Sequence, residues 1–290
     1  MKNFKNKVAA ITGAGSGIGQ QLAVLLAQQG CHLSLSDVNE QGLAQTAALL
    51  TDSNVRVTTQ KVNVAKLDEV RAWAQDTVQN HGSVNMIFNN AGVALGSTVE
   101  GASYEELEWI VDINFWGVVY GTKEFLPLIK KSGEGHIINI SSLFGLTAQP
   151  TQSAYNATKF AVRGFTESLR QELDMENSGV SALCVHPGGI RTNIANAAKM
   201  NDSLRSLGMN PEKSAQTFNK LLRCPPEEAA RQILQAVQKD KRRLLIGNDA
   251  KTLDLIQRIL NVYIPAFCQL RDGLMERYGE LLMAPDDQFV

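Results

Sequence analysis

The chain lacks any apolar run near the roughly 20 residues that a membrane-spanning helix requires, and it has no low-complexity segment. Cysteine is scarce. Cys31, Cys184, Cys224 and Cys268 stand far apart and form no C-x-x-C pair, so neither a disulfide framework nor a zinc site is indicated, and a reducing cytoplasm fits best. Excess charge of either sign is missing too: 28 Lys and Arg against 29 Asp and Glu leave a formal net charge of -1. Such a balance gives no footprint for nucleic acid or an anionic membrane. The basic start, Met1 to Lys7, precedes an apolar run too short for a signal-peptide core, which reads instead as a strand. The 290 residues are ample for a buried core.

What is present is an alternation of short apolar runs with amphipathic ones. Lys7 to Thr12 reads as a strand and Gly17 to Gln29 as a helix, joined by the turn Thr12-Gly13-Ala14-Gly15-Ser16-Gly17-Ile18-Gly19. Glycines in that position permit tight turning and close approach of a pyrophosphate, whose charge the helix N-terminus favours. A second strand, His32 to Ser36, finishes at Asp37, where an acid would hydrogen-bond the adenosine ribose hydroxyls and repel a 2'-phosphate. NAD is thereby favoured over NADP, since neither Ser16 nor Val38 supplies a cation. Asp37 could equally cap a helix beginning near Asn39. Val55 to Val62 and Val84 to Phe88 read as strands three and four around a helix from Lys66 to Asn80, ending at Asn63-Val64 and at Asn89-Asn90-Ala91-Gly92. This rhythm with short connections predicts an α/β fold with a doubly wound parallel sheet, in which ligands bind beyond the carboxyl ends of the strands.

Ser103 to Lys130 reads as a long helix with a capping box at Glu106, and Asn114 within it has a structural and a functional reading in balance. Strand five, Gly135 to Ile140, ends at Ser141-Ser142-Leu143-Phe144-Gly145. In the helix that follows, Tyr155 and Lys159 are four apart and share a face. A cation ~5 Å from a phenol at an effective dielectric of ~20 is worth roughly 3 kcal/mol, or about two pKa units, enough to bring a tyrosine toward general acid/base range. Taken alone the pair is an ordinary helical one. Strand six, Val180 to Val185, runs into His186-Pro187-Gly188-Gly189-Ile190-Arg191-Thr192. Residues 193–224 mix apolar Ile194, Ala197, Met200, Leu204, Met209, Phe218 and Leu221 with Lys199 and Arg205, and read as a helical lid or a solvated helix pair. The tail, 249–290, has helical spacing through Leu253, Ile256, Leu260, Tyr263, Phe267 and Leu270, with a break expected at Pro265. It would pack on the domain or on a second subunit, with membrane attachment the weaker reading.

Together, Thr12 to Gly19, Asn89 to Gly92, Asn114, Ser142, Tyr155, Lys159, and Pro187-Gly188 with Thr192 resemble the short-chain dehydrogenase/reductase family over roughly Lys5 to Gly247. The resemblance implies a Rossmann-type sheet of about seven strands in one catalytic domain, 1–248, with a lid inside it and a C-terminal helical extension. It implies that Tyr155 exchanges a proton with the substrate oxygen and that Ser142 steadies that oxygen. Lys159 would lower the Tyr155 pKa and bind the nicotinamide ribose. Asn114 would hold a water. Cofactor contacts would come from Gly13, Gly15, Ser16, Gly17, Ile18, Gly19, Asp37, Asn63, Val64, Asn90, Ala91, Gly92, Pro187, Gly188, Ile190 and Thr192, the last two at the carboxamide. Asn63 departs from the usual Asp of strand three, so weaker adenine binding is expected. The implied activity is a metal-free, NAD-dependent (NADP possible) interconversion of an apolar alcohol and its carbonyl, with Phe144 and the lid lining the pocket beside Ala94 and Leu95, in a homodimer or homotetramer. The alternatives are an NADP-dependent reductase of a thioester-linked carbonyl, reached through the basic lid residues, and a non-catalytic NAD(H) sensor.

Overall fold

The computed structural model describes residues 1–194 and 197–262. The apolar runs and the amphipathic stretches between them form, in order, β1 (Val8–Thr12), α1 (Gly17–Gln28), β2 (His32–Asp37), α2 (Glu40–Ala48), β3 (Val57–Lys61), α3 (Leu67–His81), β4 (Met86–Asn89) and β5 (Leu95–Gly96). These are followed by α4 (Tyr104–Val111), a π-helical turn (Asp112–Trp116), α5 (Gly117–Lys131), β6 (Gly135–Ile140), a 3-10 turn (Leu143–Gly145), α6 (Ser153–Glu176) and β7 (Val180–Pro187). The last are β8 (Lys199–Met200), a second 3-10 turn (Asp202–Leu207), α7 (Pro211–Leu221), α8 (Pro226–Gln238), β9 (Arg243–Ile246) and α9 (Asn248–Val262).

Seven strands make one parallel sheet in the order β3-β2-β1-β4-β6-β7-β9. The chain starts in the middle and winds outward first one way and then the other, which opens a crevice beyond the ends of β1 and β4. Side chains alternate across the sheet. Ala9 and Ile11 join Leu33, Leu35, Phe88, Leu183 and Val185 under Leu22 and Leu26 of α1 and Ile233 of α8. Val8 and Ala10 face the other way, with Ile87, Ile137 and Ala182, toward Trp73 of α3, Phe125 and Ile129 of α5, and Leu169 and Leu173 of α6. Burial on both faces is why β1 and β4 read as continuous apolar runs, whereas β2 alternates Leu33 and Leu35 with the buried Ser34 and Ser36.

The expected helix Ser103 to Lys130 is instead α4, the π turn and α5 in succession, with Ser103 and Glu106 forming the expected capping box. Strands three and four are shorter than expected, at Val57–Lys61 and Met86–Asn89, while strand six continues to Pro187. Asp37 is not the cap of α2. Asn39 is, accepting from the Gly42 amide, and Asp37 only turns the chain by accepting from the Asn39 amide at 2.9 Å. The segment expected to be a helical lid is mixed: β8 pairs in parallel with β5, and a 3-10 turn separates it from α7. Of the tail, only its first part falls among the described residues; the expectations for Pro265, Tyr263, Phe267, Leu270 and Cys268 lie outside them.

Candidate active site

A cleft of about 530 Å³ runs across the carboxyl ends of the strands, a size suited to a small-molecule site. At one end lies the glycine turn. Gly13 (φ +65) and Gly17 (φ +55) hold left-handed backbone that favours glycine, and a Cβ on Gly19 would come to 2.2 Å from the Gly13 carbonyl oxygen. The turn is fastened to its neighbours: the Gly15 amide donates to Asp37 Oδ2 at 2.9 Å, and Asn90 Nδ2 donates to the Thr12 carbonyl at 2.9 Å. Thr12 Oγ1 accepts in turn from the amides of Asn90 and Ala91. Asp37, Asn63, Val64, Asn90, Ala91 and Gly92 all line the cleft. Asn63 Oδ1 accepts from the Ala65 amide at 3.1 Å, so one of its two acceptor directions is already used. Asn89, by contrast, faces inward and donates to Asn139 Oδ1 at 2.8 Å, in a buried network that continues to Thr166.

Lys61, the strand partner of Asp37 across β2 and β3, is the cation the sequence did not reveal beside that carboxylate. Its ammonium is engaged by Glu40 Oε2 at 2.9 Å, which holds its pKa above the ordinary value.

At the other end Tyr155, Ser142 and Lys159 come together in the cleft wall. Ser142 caps the 3-10 turn by accepting from the Phe144 amide at 3.1 Å, which brings its hydroxyl to the Tyr155 phenol. Phe144 packs its ring edge-on to that of Tyr155, with centroids 6.2 Å apart. Lys159 Nζ donates to the Ile140 carbonyl at 3.1 Å and lies 5.6 Å from the Tyr155 ring centroid. The expected lowering of the Tyr155 pKa by that cation is not what dominates here. Burial pushes the phenol up, with the hydrogen bond from Ser142 opposing, and burial also pushes the Lys159 ammonium down, to about 8.

Asn114 does not line the cleft. Within the π turn it is fully buried, and its amide accepts from the Val93 N–H at 2.8 Å and donates to the Val93 carbonyl at 2.9 Å. It stands behind the cleft near Lys159, since a Cβ on Gly92 would lie 3.2 Å from its Oδ1 and 3.4 Å from Lys159 Nζ. Ala94 and Leu95 are likewise not in the wall: they are buried against Ile110 and Tyr155, and Val93 and Gly96 face the cleft instead.

Beyond β7, Pro187, Gly188, Ile190 and Thr192 all line the cleft. Of the Ile190 backbone, expected with the Thr192 hydroxyl to hold a carboxamide, the amide donates to the Gly188 carbonyl at 2.9 Å and the carbonyl accepts from the Thr192 amide at 2.8 Å. Thr192 closes over the glycine turn, its Cγ2 standing 3.0 Å from where a Cβ of Gly17 would be. Met200, Leu204, Met209 and Leu222 complete an apolar wall. Lys199 is stacked on Trp109 at 3.8 Å and Arg205 bonds Asp202 at 3.2 Å, so the basic residues expected to meet an anionic thioester carrier are already engaged. No spacing signalled two further residues in the wall, Asp249 and Leu253 of α9, or the buried His186 behind it, whose Nδ1 holds the Ser142 carbonyl at 3.0 Å.

A family model described as short chain dehydrogenase matches residues 7–203. The chain belongs to that family of oxidoreductases. SadH of Mycobacterium tuberculosis, whose name describes it as a putative oxidoreductase, is 46% identical over 261 residues, covering 90% of this chain and 93% of its own. Among solved structures, a short-chain dehydrogenase/reductase of Burkholderia phymatum in complex with NAD superposes with a TM-score of 0.83 at 28% identity, covering 91% of this chain and 97% of that one. Levodione reductase superposes with a TM-score of 0.74 at 29% identity, covering 86% and 99%. The expected Rossmann-type sheet of seven parallel strands is therefore the fold of this family member.

Proposed function

We propose that this family member interconverts a secondary alcohol and the matching carbonyl, with NAD as its cofactor and an apolar substrate. The observation that carries this reading is the meeting of the Tyr155, Ser142 and Lys159 side chains in one cleft with a glycine turn and Asp37. The residues suit a dinucleotide. A Cβ on Gly15 would run into the Asp37 carboxylate and one on Gly19 into the Gly13 carbonyl, so the turn stays bare, and the N-cap of α1, Ser16, makes no side-chain cap and no acid stands in the first turn, so the helix N-terminus is free to receive a pyrophosphate. Gly13 to Gly19 would hold the pyrophosphate, Asp37 the adenosine ribose, Asn63 and Val64 the adenine, and Asn90 to Gly92 with Pro187, Gly188 and Thr192 the nicotinamide half.

When bound, NAD supplies or accepts the hydride at the substrate carbon. In reduction, Tyr155 gives its phenolic proton to the carbonyl oxygen; in oxidation, it takes the proton from the alcohol. Ser142 donates to the same oxygen and fixes its place. Lys159, charged below about pH 8, stabilises the phenolate that the first step leaves. NAD is preferred to NADP because Asp37 faces the ribose site and its neighbouring cation, Lys61, is held by Glu40. The NAD in the Burkholderia relative supports the same choice. An apolar substrate follows from Phe144, Leu143, Met200, Leu204 and Met209, with the segment 193–224 as the lid that excludes water.

The test is a panel of alcohols and ketones assayed with NAD(H) and NADP(H). Turnover of hydrophobic secondary alcohols or ketones is expected, with NAD(H) preferred roughly five- to thirtyfold, since one unfavourable charge contact at the ribose is worth roughly 1–2 kcal/mol. Success only with sugars or polyols would overturn the substrate class.

A further inference from the structure

The matched family region ends at residue 203, yet α9, which begins more than 40 residues later, takes part in the cleft. Its first turn carries Asp249. One carboxylate oxygen of Asp249 accepts from the Gly189 amide at 2.7 Å. The other sits where side chains on two glycines would be: a Cβ on Gly188 or on Gly247 would lie 2.2 Å from Asp249 Oδ1. Gly247, at φ +96, makes the sharp turn from β9 into α9 that delivers the carboxylate.

The loop after β7 is thereby clasped on three sides. The Gly188 amide donates to the Ile246 carbonyl at 2.9 Å, the Gly189 carbonyl accepts from the amides of Arg223 and Cys224, and the Gly189 amide is taken by Asp249. The first two contacts are backbone to backbone and are set by the fold. The third depends on one side chain, and it fixes the plane of the peptide between Gly188 and Gly189, the stretch of wall from which Ile190 and Thr192 continue. The helix that carries it is itself fastened, because Asp254 pairs with Arg243 of β9 and with Arg258 at 2.9 Å. Leu253, one turn beyond Asp249, lies on the same face of the helix and lines the same cleft.

We infer that Asp249 is a positioning residue for the nicotinamide half of the cofactor site, and that α9 belongs to the active site rather than being an appendage to the domain. Resting on the cofactor reading above, this assigns Asp249 no contact with the reacting atoms. It acts through the Gly188–Gly189 peptide.

The experiment uses the full-length chain and two ligands, NADH and ADP-ribose, the second of which lacks only the nicotinamide. Asp249→Ala is expected to bind NADH roughly tenfold more weakly, in line with losing a charge-assisted hydrogen bond, while ADP-ribose affinity stays within about twofold. The KM for NADH should rise by the same factor while kcat changes less. Asp249→Asn retains an acceptor and should recover NADH binding to within about threefold of the wild type. Gly247→Ala, outside the cleft wall, would put a Cβ 2.2 Å from Asp249 Oδ1 and so displace the carboxylate; it is expected to give the same selective loss and carries the test if Asp249→Ala does not fold. Unchanged NADH binding, equal weakening of both ligands, or an Asn variant as impaired as the Ala variant would overturn the inference. Wild-type protein that binds neither ligand would instead overturn the cofactor reading beneath it.

Discussion

At Tyr155 two effects oppose each other. The ring is nearly buried, and burial penalises the phenolate, while Ser142 favours it and the Lys159 ammonium stands 5.6 Å from the ring centroid. Lys159 is itself pushed down to about 8. The cation that supports the phenolate is therefore present below pH 8 and is lost above it. Alcohol oxidation should climb as pH rises toward 8 and then level off or fall, and Lys159→Arg, which stays charged, should remove the fall even at a lower absolute rate. A profile that keeps rising through pH 10 in the wild type would mean that Lys159 does not titrate there. Asp37 acts by charge as well. Asp37→Ala should narrow the gap between NADH and NADPH binding to within about threefold, and an unchanged gap would assign selectivity to another group.

At the scale of elements, the βα alternation was legible because the strands are short runs, apolar as in β1 and β4 or alternating as in β2, and the helices carry periodic apolar faces. Tyr155 and Lys159 were legible as a pair because four residues on a helix return to the same face. Local pattern could not show the π turn at Asp112–Trp116, since Asn114 is explained by its bonds to Val93, distant in sequence. Nor could it show β5 and β8. Each is two residues long and exists through its partner, with the Lys199 amide donating to Ala94 and the Asn201 amide to Gly96. Asp249 was hidden for the same reason: its meaning lies in Gly188 and Gly189, brought to it by the order of β7 and β9. The segment after β8 is anchored by Leu204, 1% exposed. Leu204→Ala should cost roughly 2–4 kcal/mol of local stability, seen as faster proteolysis between residues 199 and 222, and should raise KM for an apolar substrate more than it lowers kcat. Equal proteolysis of variant and wild type would place the anchor elsewhere.

For the whole molecule, two buried histidines set the acid limit. Burial lowers both His136 and His186 from 6.5 to about 4. Both are neutral in the folded state, so the stability they contribute is fully present above pH 6.5 and is lost as pH falls toward 4, at most about 3 kcal/mol each. The urea midpoint should decline over that window, and His186→Asn should make the decline shallower; a midpoint flat from pH 6.5 to 4 would contradict this assignment. Association belongs to this scale too. Trp116 on the π turn and Phe160 on α6, two elements that pack together, are left 42% and 38% exposed, apolar surface suited to a second copy of the chain. We therefore expect a homodimer or homotetramer in light scattering, which Trp116→Glu converts toward monomer; a wild type that is already monomeric would refute this. The central claim is that Tyr155 is the acid and base of a cofactor-dependent oxidoreductase, and Tyr155→Phe tests it most directly. NADH affinity within about twofold of the wild type, with turnover of an active alcohol or ketone down by at least about a hundredfold, is the predicted result. Retained turnover on that substrate would contradict the account.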